Sequence, residues 1–78
     1  MINQGLAPII LFVYNRPEHT RKTVEALQRN LLAKESDIII FSDGAKNPES
    51  ARDVNAVRSF LKTISDFKSV KIIERETN

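Results

Sequence analysis

Two short stretches hold the residues with chemical reach. Tyr14-Asn15-Arg16-Pro17 closes the apolar run Ile9-Ile10-Leu11-Phe12-Val13, and Ser42-Asp43-Gly44 closes the run Ile38-Ile39-Ile40-Phe41. The first stretch supplies a ring that can stack on a flat ligand, an amide and a cation. The second supplies a carboxylate, which accepts hydrogen bonds. Each group also has a plain structural use. Asp-Gly is a common turn pair, Tyr14 can end a buried strand with its hydroxyl in water, and Asn15 can cap a helix. Arg16 has the sharper case. Arg16, Arg21 and Lys22 fall in or near the first turn of the helix that follows, where the dipole disfavours cations. A bound phosphate reverses that penalty. Ligand contact is therefore expected of Arg16, Arg21 is a candidate phosphate contact, and Lys22 reads as part of a solvated basic face. His19, the only histidine, has no carboxylate, serine or cysteine partner at a recognisable spacing. It reads as a solvent-facing first-turn residue.

These groups must be positioned by the elements around them. An apolar run without alternation suits a strand buried on both faces of a parallel sheet, so strand one is expected from Ile9 to Tyr14. Residues 1–7 read as a short leader, and residues 8–78 as the folded part. Pro17 suits the first helical position, and Val24, Leu27 and Leu31, widened by Ala26 and Leu32, form the buried stripe of helix one. That helix fades through Lys34, Glu35 and Ser36. Strand two, Ile38 to Phe41, is wholly apolar and should be central. Gly44 supplies the positive φ of a sharp exit. Helix two opens with Asn47 as cap and Pro48 at the first position. Its stripe is Val54, Val57, Leu61 and Ile64, with Phe60 beside it. Strand three is Val70 to Ile73. The pattern is α/β: a βαβαβ, half Rossmann-like, three-layer parallel sheet. In such sheets ligands bind outside the carboxyl ends of the strands, so Tyr14, Asn15, Arg16 and Asp43 are expected to share one site.

Composition narrows the classes. With 78 residues, 41% hydrophobic and 28% charged, this is one small domain of ordinary globular composition, marginal by itself. A net charge of +2 gives no bulk attraction for nucleic acid. The absence of cysteine removes disulfides, thiolate catalysis and zinc fingers. No signal peptide and no apolar run of membrane-spanning length is present, and a cytoplasmic location is expected. The two glycines, Gly5 and Gly44, cannot form G-x-G-x-x-G or a Walker A loop. NAD binding and P-loop ATP hydrolysis are set aside.

Tyr14-Asn15-Arg16-Pro17 at the end of strand one, Phe41-Ser42-Asp43-Gly44 at the end of strand two and the closing Glu76-Thr77-Asn78 resemble the opening part of the GT-A glycosyltransferases. The resemblance is to the family-two-like enzymes and the N-acetylglucosaminyltransferase I branch. It covers nearly all of this chain but only the start of such a domain. It implies the nucleotide-binding N-terminal part of a glycosyltransferase, which transfers a sugar from a nucleotide-diphospho donor to an acceptor hydroxyl. By position Tyr14, Asn15 and Arg16 would wall the nucleoside, and Asp43 would accept a hydrogen bond from the base, usually the uracil of a UDP-linked sugar. The family's Asp-x-Asp metal site and its catalytic carboxylate come later in the domain. The aspartates at 37, 43, 53 and 66 do not supply the pair, so no catalytic residue or metal ligand is assigned here. The resemblance thus implies a truncated and inactive piece, and a divalent metal (Mn or Mg) in the full-length protein.

Two other readings compete. One is a non-catalytic α/β binding module that forms homo-oligomers through an open sheet edge, because a long apolar edge strand needs covering. The other is a receiver-like domain phosphorylated on Asp43. That chemistry wants an acidic magnesium site at the end of strand one, where Arg16 places a cation instead.

Overall fold

The computed structural model describes residues 7–30 and 33–76. Five main elements alternate: β1 (Ile9–Val13), α1 (Pro17–Gln28), β2 (Asp37–Ser42), α2 (Pro48–Leu61) and β3 (Ser69–Glu74). A single 3-10 turn, Ala33–Glu35, precedes β2. The strands form one parallel sheet in the order β1-β2-β3. The expected βαβαβ order and the central place of β2 are both observed.

Register divides the sheet into two faces. Ile9, Ile38 and Val70 are aligned, as are Leu11, Ile40 and Ile72. These side chains pack with Leu27 of α1 and with Val57, Phe60 and Leu61 of α2. The alternate rows, Ile10-Ile39-Lys71 and Phe12-Phe41-Ile73, point the other way. Ile10 is 47% exposed and Phe12 67% exposed. Both helices therefore lie on one face and touch each other. Successive right-handed crossovers that step in one direction along a sheet place their helices on the same side. The three-layer expectation is corrected accordingly: the described residues form two layers, and β1 is buried on one face only.

The helices begin differently. At α2, Asn47 caps as expected, its Oδ1 accepting from the Ser50 N–H at 2.9 Å, with Pro48 in the first turn. Val54, Val57 and Leu61 are buried, and Ile64 packs on the core from beyond the helix end. At α1 the expected Asn15 cap is absent. Arg16 occupies the N-cap position at φ −123°, ψ 81°, and makes no side-chain cap. The extended turn from β1 carries one residue more than a cap at Asn15 requires. Helix α1 also ends at Gln28 with no basic residue in its last turn, and Lys34 and Glu35 lie in the separate 3-10 turn. The leader through Leu6, the stripe residues Leu31 and Leu32, and Thr77-Asn78 lie outside the described residues.

Candidate functional site

The carboxyl ends of the strands converge at one end of the sheet. There β1 releases Tyr14, Asn15 and Arg16, and β2 releases Asp43. The Asp43 N–H donates to the Val13 carbonyl at 3.1 Å, which holds the second loop against the first. Tyr14, Asn15, Arg16 and Asp43 all line a cavity of about 330 Å³. Leu11, Phe12 and Val13 of β1 and His19, Thr20 and Thr23 of α1 complete its lining. Apolar walls with a few convergent polar groups are the ordinary make-up of a small-molecule site. The one shared site expected from the strand ends is thus present as geometry. His19 is exposed, as expected, but it stands at this cavity.

Arg21 is placed elsewhere. Its guanidinium pairs with Glu18 and, at 3.9 Å, with Glu25, both on its own helix. Arg21, the candidate phosphate contact, does not line the cavity and forms a helix-surface ion pair. Spacings of three and four residues put these charges side by side.

Two arginines absent from the sequence-based set organise the strand ends. Arg75 directly follows β3. Its Nε donates to Asp43 Oδ1 at 2.7 Å, with a second contact from Nη2 to the same oxygen. Oδ2 therefore keeps its acceptor capacity. The Arg75 guanidinium also lies 5.5 Å from the centre of the Phe41 ring, in cation–π contact, and Phe41 stacks on Phe12 at 5.2 Å. The Arg75 N–H donates to the Ser42 carbonyl at 2.8 Å. Arg58 reaches across from α2. Its Nε donates to Ser42 Oγ at 3.0 Å, and its Nη2 donates to the carbonyls of Ser42 at 3.0 Å and Arg75 at 2.7 Å. Glu74 balances its charge at 3.8 Å. Ser42 is fully buried, so Arg58 satisfies groups that would be costly to leave unpaired.

Gly44 is required, for a reason other than the one expected. It has no positive φ; instead a Cβ there would sit 2.1 Å from the Glu76 carbonyl oxygen. The loop after β2 and the segment after β3 press together at backbone distance.

The Tyr14 hydroxyl turns toward the start of α2. The nearby Ser50 side chain, and then the Lys46 N–H that donates to the hydroxyl oxygen at 3.1 Å, hold its phenol below the ordinary tyrosine value. Nearby Asp43 acts weakly in the opposite direction. Among the described residues no three His, Asp or Glu side chains gather as a group that could hold a metal, and no helix is long and apolar enough to cross a membrane.

Models of protein families give no match to this chain, and neither a curated protein nor a solved structure matches it significantly.

Proposed function

We propose that the cavity binds the nucleotide half of a nucleotide-diphospho-sugar, and that these residues are the N-terminal portion of a GT-A glycosyltransferase. The observation that carries this reading is the convergence of Tyr14, Asn15, Arg16 and Asp43, from two separate strand ends, on one cavity. Sheet order and helix placement agree with a half Rossmann-like unit, whose ligands sit at this edge. Asp43, fixed through Oδ1 by Arg75, can offer Oδ2 to a ring N–H such as that of uracil. Tyr14, tethered through its hydroxyl, presents its ring as a wall.

No group of the described residues fits a metal. On this reading the divalent ion (Mn or Mg) and the catalytic base belong to further sequence, and these 78 residues bind without catalysing. The test is a titration of the chain with UDP and with uridine, followed by NMR. Both are expected to shift Tyr14, Asn15, Arg16 and Asp43 selectively, and Asp43→Ala is expected to remove the response to uridine. Absence of any shift at millimolar ligand would overturn the proposal.

A second reading is favoured by the bare sheet face. Ile10 and Phe12 are exposed beside the free edge of β1, which suits a module that assembles with copies of itself. It predicts self-association and indifference to nucleotides.

A further inference from the structure

We propose that the start of α1, with Thr20 as its central side chain, is an anion subsite that takes the diphosphate of the cavity's ligand. This rests on the nucleotide reading of the cavity, and it says which part of the cavity meets which part of the ligand. Two independent observations support it.

The first is the state of the helix end. Helix α1 is 12 residues long and begins with Pro17 after an N-cap residue whose side chain does not cap. His19, which lines the cavity, thus presents a backbone N–H that no capping side chain satisfies, at the positive end of the dipole. Such an end binds anions when a ligand can approach it.

The second is Thr20. It is only 4% exposed, yet it lines the cavity. A helical threonine ordinarily donates to a carbonyl three or four residues back. Thr63, in the turn that follows α2, does so, its hydroxyl donating to the Phe60 carbonyl at 2.7 Å. In the turn at Arg16 the carbonyl takes the Thr20 N–H at 2.9 Å, and the Thr20 hydroxyl makes no hydrogen bond among the described residues. No enclosed side-chain polar atom among those residues lacks a partner. The Thr20 hydroxyl must therefore reach solvent, and the cavity is where it does so. On a residue otherwise buried, a hydroxyl that reaches solvent at a cavity beside an uncapped helix start is a donor placed for an acceptor in that cavity.

The charges facing this place agree with an anion. Arg16 lines the cavity at the same end. Glu18, the nearest acid on the helix, is turned to Arg21 and does not line the cavity. Asp43 does line it, but its charge is held by Arg75. The cavity thus carries a cation and a helix start suited to an anion, and in Asp43 an acceptor suited to a base.

Three probes separate this subsite from the base site: pyrophosphate, uridine and UDP, each titrated into the chain and into Thr20→Val, Thr20→Ser and Arg16→Gln. Pyrophosphate is expected to shift the amides of His19 and Thr20. Thr20→Val should weaken pyrophosphate and UDP by about tenfold or more, as loss of a hydrogen bond to a charged group does. Uridine binding should be unchanged, and Thr20→Ser should restore most of the loss. If uridine and UDP bind equally in the parent chain and in Thr20→Val, the subsite is wrong while the base site stands. If pyrophosphate binds through Thr20 and uridine does not bind, the subsite stands and the nucleotide reading falls. Silence from all three probes overturns both.

Discussion

Tyr14 is the residue whose surroundings can be read most directly in solution, because it is the only tyrosine. The Ser50 side chain and the Lys46 N–H beside its hydroxyl favour its ionised form. The folded pKa lies below the unfolded value of about 10. Ionisation therefore favours the folded chain. This contribution is fully present only above the unfolded pKa, and it is lost as pH falls through the lowered one. A tyrosinate absorbance titration should give a lower midpoint for the folded chain than for the chain in denaturant, and Ser50→Ala should move the folded midpoint up. Equal midpoints in the two states would show that the hydroxyl is not held as described. At this scale the sequence was partly legible. Tyr14, Asn15, Arg16 and Asp43 were identified because they follow apolar runs, and a strand end is a position that sequence alone reveals. Arg75 stands in the same position after β3, and the same rule applied there would have found it. Thr20 falls four residues before Val24, on the buried stripe, so its burial was also legible. Arg58 was not. It lies on α2 beside the buried Val54, Val57 and Leu61, and its reach to Ser42 depends on how α2 crosses the sheet.

Elements are joined at this edge by backbone contacts that no local pattern encodes. The loop after β2 meets the segment after β3 at Gly44, where Glu76 leaves no room for a side chain. Sequence reading recognised that a glycine belonged here but gave a conformational reason, because close approach between distant segments leaves no local mark. The two reasons predict different chemistry. A glycine with ordinary φ and free space gains about 0.4–1 kcal/mol on replacement by alanine, through the unfolded state. With a carbonyl in the way, Gly44→Ala should instead cost about 1–3 kcal/mol, as forced overpacking does. Urea unfolding distinguishes the signs, and a stabilised variant would refute the contact. The helix starts repeat the lesson. Asn47-Pro48 was readable as a cap followed by a proline because both signals are local. Asn15 was misread because Arg16 completes the extended turn before Pro17, which places the cap one residue later.

For the whole molecule, the apolar pattern and the observed layers disagree, and the disagreement has a consequence. β1 is written as a strand for two covered faces, yet both helices lie on one side and Ile10 and Phe12 remain exposed. Lys71 is the one charged side chain in the two rows of that bare face, and Arg75 covers part of the Phe41 ring. Such a face, with a free strand edge beside it, favours association. Its size sets the strength. Three strands of five or six residues span roughly 15 by 17 Å, a footprint of about 250 Å², against the ~800 Å² per partner of a stable complex. Self-association through this face should therefore be weak. Sedimentation should show monomer at low micromolar concentration and larger species only as concentration approaches the millimolar range. Phe12→Lys should shift that onset upward by placing a charge at the centre of the patch. A tight dimer indifferent to Phe12 would point to the edge of β1 as the contact. A strict monomer at the highest concentration would remove the assembling-module reading and leave the cavity as the chain's one argued function.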